Sequence, residues 1–432
     1  MQPAAALGSL CLTLLLVVTR PTIGRFGRMN PVLGALPGVM VMMLAGVLRP
    51  SDVGRGFVLL WRPLVTIASI MATTSMAHRL GIFDRVARAI EIRTRGPVPR
   101  AFRAVYVISV VTAALFNNDA AILLLTPIVL PLIRRLYPRR QAVLTMPFAF
   151  AVFMAAGVAP LSTSNPMNLV VAEHAGLGFN AYAIRMIPVS LAGAVTTYVM
   201  LRIAFRSVID DENPAAGGHE QGSIADMGDT SRAVLMIVGA MFVAYPILSY
   251  FDAPVWIAAL GGASLVSLIA LRHEAVKPNH VVSGVAWDIL AFLFLIFLTA
   301  LGFENIGVTK TMSTVYASAS ERGPDGLGLV GGVSSLGSAV LNNHPMAALN
   351  ALALKSIDGD NRWRTLAALV GGDLGPRLLP IGSLAGLLWI EMARRYDVEI
   401  KTWDFVRTGF IVTLPTLAVT LGVLWLETMI FP

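Results

Sequence analysis

Charge is scarce in this chain. Of its 432 residues only 13% are Asp, Glu, Lys or Arg, whereas 56% are apolar and the mean hydropathy is +0.72. A soluble globular chain carries about 25% charged residues, so a single water-facing shell around one core is excluded. Cysteine is nearly absent. The lone Cys11 lies in the first apolar run, can form neither an internal disulfide nor a thiolate cage, and reads as a small buried apolar residue. There is no G-x-x-x-x-G-K-[ST] loop, no H-E-x-x-H pair and no Cys/His cluster. Nucleotide hydrolysis and metallohydrolase chemistry therefore have no motif to rest on, and an enzyme has no nucleophile–base constellation.

Long apolar runs are abundant. Many reach the roughly 18–20 residues needed to cross a bilayer, at 4–19, 31–48, 57–79, 101–136, 143–173, 184–206, 232–250, 254–271, 286–303, 327–354, 366–390 and 408–430. The runs 101–136 and 327–354 carry an Asn-Asn pair near the middle and no charged turn, so each is expected to be a re-entrant hairpin. Two short spans joined by a tight turn are the alternative. Ten full spans remain. No Lys or Arg precedes the run Ala4–Thr19, while Arg20, Arg25 and Arg28 follow it. That reverses a signal peptide and predicts a retained first span.

With the N-terminus outside, the inside segments hold 23 of the 33 Lys and Arg residues, the outside segments hold 9, and Arg377 lies within a run. This asymmetry follows the positive-inside rule. It places both termini outside and accounts for the net charge of +8 without nucleic acid. The acidic, glycine-bearing connection 207–231 (Asp210, Asp211, Glu212, Glu220, Asp226, Asp229) divides the chain into segments 1–206 and 232–432 and reads as a flexible cytoplasmic linker. Ile82–Ile92 looks amphipathic and is expected at the inner interface. Trp61, Trp256, Trp287, Trp389 and Trp403 sit near run ends, as interfacial anchors do.

The polar residues inside the runs form a pattern. Leu115-Phe116-Asn117-Asn118-Asp119 is echoed by Val340-Leu341-Asn342-Asn343-His344-Pro345, and the two copies begin 225 positions apart. After each hairpin comes an interrupted run. The first is broken at Pro160-Leu161-Ser162-Thr163-Ser164-Asn165-Pro166-Met167-Asn168. The second is broken at Gly371-Gly372-Asp373-Leu374-Gly375-Pro376-Arg377 and again at Pro380-Ile381-Gly382-Ser383. Paired prolines and glycines preclude regular helix, and irregular backbone at membrane depth survives only where protein or a water-filled cavity satisfies it. Secondary carriers with inverted repeats have this pattern, with broken helices meeting near the midplane. The expected fold is therefore an all-α polytopic membrane protein with ten transmembrane helices and two re-entrant hairpins, in two inverted-topology repeats.

Asn117, Asn118, Ser162, Thr163, Ser164, Asn165, Asn168, Asn342, Asn343, Gly382 and Ser383 are the candidate cargo ligands, since amides and hydroxyls suit a neutral polar cargo. Hydroxyls bonding back to the backbone at a helix break are the bland alternative. Asp119, Asp373 and His344 are the candidate proton-coupling groups, because a buried ionisable side chain in a membrane is costly and functional by default. Arg377 is the candidate charge partner. The structural alternatives are a static Asp373–Arg377 pair, an Asp119 helix cap and a hydrogen-bonded His344.

Gly372-Asp373-Leu374-Gly375-Pro376-Arg377-Leu378-Leu379-Pro380-Ile381-Gly382-Ser383-Leu384-Ala385-Gly386-Leu387-Leu388-Trp389 resembles the G-x-D-L-G-P-K-x-x-P-I-G-S-L-A-T-L-L-W stretch of the arsenite permease (ArsB-type) family of the ion transporter superfamily, with Arg377 where Lys is usual. Asn342-Asn343-His344-Pro345 resembles that family's N-N-M-P, and Leu115–Asp119 resembles its L-F-A-N-D. Leu125-Thr126-Pro127-Ile128-Val129, Gly176–Phe179 and Arg407-Thr408-Gly409 also match. The resemblance implies efflux of arsenite and antimonite across a bacterial cytoplasmic membrane in exchange for protons, with no bound cofactor and, in some members, a cytosolic ArsA-type ATPase partner. His344 stands where the family has Met, and Asn117 where a small residue is usual. Ser162-Thr163-Ser164-Asn165-Pro166 is more like the anion carriers of the superfamily, so a sodium/proton or organic-anion (dicarboxylate or citrate-like) carrier is the alternative.

Overall fold

A computed structural model describes residues 2–19, 21, 29–82, 85, 97–210, 228–274, 276–319 and 323–431, and all regular structure among them is helical. In chain order the helices are α1 (Gln2–Thr19), α2 (Pro31–Leu44), α3 (Pro50–Arg79), α4 (Val98–Leu115), α5 (Asn118–Leu136), α6 (Gln141–Ala155), α7 (Pro166–His174), α8 (Phe179–Ala204), α9 (Asp229–Tyr250), α10 (Trp256–Ala270), α11 (Trp287–Asn305), α12 (Val308–Ala317), α13 (Pro324–Leu341), α14 (Asn343–Lys355), α15 (Arg362–Leu374), α16 (Leu384–Arg395) and α17 (Thr402–Ile430). Single turns at Arg206–Ile209 and Pro278–Ser283 complete the set. Most of Ile82–Ile92 and of the acidic connection lies outside the described residues, as do Arg20, Arg25 and Arg28.

Among the described residues six stretches are long and apolar enough to cross a membrane: α3, α4, α8, α9, α17 and Pro278–Asn305, which contains α11. Leu191, Val195, Met236, Val243, Leu265 and Leu268 are exposed on α8, α9 and α10. An apolar surface this extensive requires lipid, and the chain is an integral membrane protein.

Each Asn-Asn segment is the tip between two helices that pack on each other, and the two tips are built alike. Asn117 Oδ1 accepts from the Asp119 backbone N–H at 2.8 Å, and Asn342 Oδ1 accepts from His344 N–H at 3.3 Å. In each case an asparagine, two residues before the donor, caps the second arm. The Asp119 carboxylate therefore has no capping role. Asn342 holds φ at 78°, a conformation asparagine tolerates better than most residues. At 18 residues α4 is about 27 Å long, so by length it suits either a re-entrant or a spanning arm.

The order of elements recurs. Hairpin α4–α5, broken pair α6–α7 and long helix α8 are followed, after the connection, by hairpin α13–α14, broken pair α15–α16 and long helix α17. Packing exchanges the two sets. The second hairpin arm α5 lies on α16, α14 lies on α7, α2 lies on α11, α10 lies on α3, and the two long helices α8 and α17 pack on each other.

A large apolar core gathers α4, α5, α6 and α16 around Phe150, Phe153, Trp389 and Phe405. Trp389 is fully buried and stacked on Phe153 at 4.5 Å. It is a core residue and not an interfacial anchor, whereas Trp287 and Trp403 are exposed. Cys11 is also exposed, not buried as its apolar run suggested.

Helices α13 and α15 cross where glycine is required. A Cβ on Gly371 would overlap the Gly331 carbonyl oxygen, while one on Gly372 would make ordinary contacts with Ser334 Oγ at 3.6 Å and Ser338 Oγ at 3.9 Å. Close approach through small residues is how membrane helices pack. Gly371→Ala is expected to destabilise by about 1–3 kcal/mol and to lower the melting midpoint in detergent, while Gly372→Ala leaves it unchanged. Equal midpoints for the two variants would contradict this packing.

Candidate functional site

The two breaks are where the helices give way, and they face each other. Helix α6 ends at Ala155. The chain then runs irregularly to Asn165, with one 3-10 turn at Ser162–Ser164, before Pro166 opens α7. Helix α15 ends at Leu374, is followed by 3-10 turns at Gly375–Arg377 and Pro380–Gly382, and resumes as α16 at Leu384.

Asp373, 7% exposed, reaches from the second break into the first. Its Oδ1 accepts from Asn165 Nδ2 at 2.6 Å, and its Oδ2 accepts from Asn168 Nδ2 at 2.8 Å and from the Ala159 backbone N–H at 2.9 Å. All three partners are N–H donors, which suits an acceptor-only carboxylate. Tyr182 of α8 backs the cluster. Its hydroxyl donates to the Ala159 carbonyl at 2.9 Å and accepts from Asn168 Nδ2 at 2.8 Å.

Arg377 is 2% exposed and does not pair with Asp373 within 4.0 Å. Its Nη2 donates to the Met154 carbonyl at 2.5 Å and its Nη1 to Thr197 Oγ1 at 3.2 Å. The guanidinium therefore braces the open end of α6, whose last carbonyls lack helical partners. Asp373 and Arg377 form no direct ion pair, yet each lies in the other's field while its own hydrogen bonds go to the first break and to α8.

Each hairpin tip reaches the break that follows it. Asn118 Nδ2 donates to the Gly157 carbonyl at 3.2 Å, and Asn342 Nδ2 donates to the Ile381 carbonyl at 3.1 Å; both contacts span 39 residues. His344 Nδ1 lies 2.6 Å from Asn343 Oδ1 and 3.2 Å from Asn342 Oδ1, so the Nδ1–H tautomer serves these acceptors. Among the described residues nothing donates a hydrogen bond to the Asp119 carboxylate, so it stands apart from the Asp373 cluster.

Of the other expected ligands, Asn165 and Ser383 also cap helices. Asn165 Oδ1 accepts from Met167 N–H at 3.0 Å and Ser383 Oγ from Gly386 N–H at 2.9 Å. Ser164 Oγ donates to the Ala114 carbonyl at 2.5 Å. Thr163 Oγ1 is buried without a hydrogen-bond partner among the described residues and borders a cavity of about 20 Å³ shared with Thr73, Thr74 and Phe116. A second cavity of about 20 Å³ lies among Asn118, Gly157, Tyr106 and Arg377. Each holds about one water, so this conformation is closed around the breaks. Ser162 lines a wider cavity of about 300 Å³ that opens beside Arg62, Glu173 and Asp252. Gly382 sits against Pro376, where a Cβ would not fit.

Tyr182 and Thr197 were not singled out in the sequence. They fall with Met186, Val189 and Gly193 on the buried stripe of α8, and that helical spacing inside an apolar run is the signal that marks them.

A lipid-surfaced helical bundle whose two broken helices bring buried amides and a carboxylate together defines a membrane transporter. The family model described as ArsB, arsenical pump membrane protein, matches residues 6–427. The chain is 30% identical over 423 residues to the arsenical pump membrane protein of Escherichia coli strain K12, covering 96% of this chain and 97% of that one. It is 27% identical over 420 residues to an uncharacterized transporter of Mycobacterium tuberculosis, covering 93% and 94%. In fold it is similar to the Alcanivorax borkumensis YdaH transporter, with a TM-score of 0.54 at 15% identity, covering 99% and 97% of the two chains. The chain belongs to the ArsB arsenical pump membrane protein family.

Arg377→Met removes the donors to Met154 and Thr197, and about 1–3 kcal/mol is expected to be lost for each acceptor left buried and unpaired. Arg377→Lys keeps a charge that can reach one of them. The melting midpoint in detergent should fall in the order native, Lys, Met, and an unchanged midpoint in the Met variant would refute the bracing role.

Proposed function

We propose that the protein exports arsenite and antimonite across the bacterial cytoplasmic membrane in exchange for protons, by alternating access around the two breaks. The observation that carries the proposal is the duplicated contact of hairpin tip with break, made by Asn118 and by Asn342 over the same 39-residue separation. Two like devices, with the packing exchanged between the chain segments 1–206 and 232–432, support inverted-topology repeats. Both termini lie outside in this arrangement, and the connection 207–231 is cytoplasmic.

Near neutral pH arsenite is an uncharged trihydroxide, which amides and hydroxyls can match without a thiolate. Asn118, Asn343, Ser162 and Thr163 are assigned to the cargo, because each borders a cavity or a hairpin tip. Asn165 and Asn168 are already held by Asp373 and act through it. Asp119 is the carboxylate free to gain and lose a proton with the conformational change. Protonation of Asp373 would instead convert an acceptor into a donor facing three N–H groups, and so would loosen the first break from the second. His344 joins the second tip to the same proton-linked change. An ArsA-type ATPase would dock on the cytoplasmic side.

In everted vesicles, an acid-inside gradient is expected to drive arsenite uptake that a protonophore abolishes. Asp119→Asn should fold and insert but show only the uptake of de-energised vesicles. Undiminished gradient-driven uptake in that variant would sink the assignment, and inhibition of the native protein by citrate or a requirement for sodium would favour the anion or sodium carriers of the superfamily.

A further inference from the structure

Helix α17 carries a buried acid that the account above does not use. Glu427, near the C-terminal end of α17, is 5% exposed, and neither carboxylate oxygen receives a hydrogen bond among the described residues. Leaving a buried carboxylate without a donor is expensive in any apolar surrounding. The charged group that acts on it is Arg185 of α8, yet the two do not pair within 4.0 Å. Arg185 is itself confined. Its Nη1 donates to the Ala181 carbonyl at 2.9 Å, and its guanidinium lies 5.3 Å from the Trp363 ring and 5.2 Å from the Phe431 ring.

Among the described residues, Arg362 and Asp360 also act on Arg185. Neither forms an ion pair with Glu427 within 4.0 Å.

Glu427 also continues a polar stripe. Thr413, Thr416 and Thr420 are fully buried and occupy the same face of α17 at helical spacing. Thr416 Oγ1 lies 3.3 Å from Thr197 Oγ1, which receives Arg377 Nη1 at 3.2 Å. Thr420 Oγ1 donates to the Thr416 carbonyl at 2.7 Å. The stripe therefore runs from the arginine that braces the first break toward the outer end of α17, with the buried Leu424 between Thr420 and Glu427.

We propose that Glu427 is a proton-binding carboxylate on the outer side of the transporter, poised against Arg185, that takes up the proton driving export before it reaches the breaks. This rests on the proton-exchange reading given above. Protonation forms an O–H bond on one Glu427 oxygen and leaves Arg185 with the Ala181 carbonyl and its two rings. Release returns the carboxylate to the field of the guanidinium. Leu424 separates this group from the hydroxyl stripe in the closed conformation, so the proton waits at the outer end until α8 and α17 move.

Two measurements on the full-length protein test it. In everted vesicles Glu427 faces the lumen. Glu427→Gln should lose gradient-driven arsenite uptake and its dependence on lumenal pH, while retaining arsenite exchange between preloaded and bathing pools without a gradient. In detergent, the pH-difference infrared spectrum of the native protein should contain a carboxylic-acid carbonyl band that Glu427→Gln lacks. A folded Glu427→Gln protein with native drive and native lumenal pH dependence overturns the proposal and leaves proton-driven export standing. Absence of drive in the native protein removes the export reading instead, and an infrared band unchanged by the substitution then independently refutes proton binding at Glu427.

Discussion

The three hydrogen bonds into Asp373 hold this structure's centre together. Two broken helices expose backbone groups that hydrocarbon cannot satisfy, and a single carboxylate from the second break gathers the loose N–H groups of the first. Asn165 and Asn168 are thereby fixed, Tyr182 closes over them, and Ala159 has both its N–H and its carbonyl engaged. Arg377, one turn further on, reaches a different part of the same break. Anionic and cationic groups four residues apart thus make separate hydrogen bonds to the first break while each lies in the other's field.

A tie of this kind has consequences for movement. Because every partner of Asp373 lies in the other half of the chain, the two breaks cannot rearrange independently while it holds. The hairpin tips add a local restraint on each side, Asn118 on Gly157 and Asn342 on Ile381. Cavities of about 20 Å³ beside the first hairpin tip and a larger one reaching Ser162 fit a closed centre with one partial approach. The C-terminal end of α17, where Glu427 and Arg185 are buried, lies apart from this centre, and the chain of polar contacts from Arg377 through Thr197 to Thr416 runs toward it as far as Thr420.

Much of this was legible in the sequence, because membrane helices leave few ways to read an apolar run. The hairpin tips at Asn117–Asn118 and Asn342–Asn343, and the interruptions at 160–168 and 371–383, are where helix chemistry fails, and they are where the helices end. The stretch from Gly372 to Trp389 carries the most specific resemblance to the family whose model matches residues 6–427. Partnerships were less legible. Asp373 and Arg377 sit four apart, which suggested an ion pair, but the break between them turns each toward its own acceptor or donor. The cap on the first hairpin belongs to Asn117 and not to Asp119, since the helix begins at Asn118, two residues earlier than the carboxylate would require. Trp389 looked interfacial from its position in the run and is instead stacked in a core assembled from distant aromatics. Glu427 escaped notice because a single acid near a run end reads as solvated until the neighbouring helices are in place.

The claim on which the account turns is that Asp373 couples the two breaks, and a double-mutant cycle measures that coupling directly. Asp373→Asn, Asn168→Ala and the double variant would each be unfolded by titration with a denaturing detergent, with native-like insertion verified first. Residues sharing a buried hydrogen bond show interaction energies of about 0.5–3 kcal/mol, and the account predicts a value of at least about 1 kcal/mol within that range. Free-energy losses that simply add, to within about 0.5 kcal/mol, would mean that the two breaks are not tied through this carboxylate and would contradict the account.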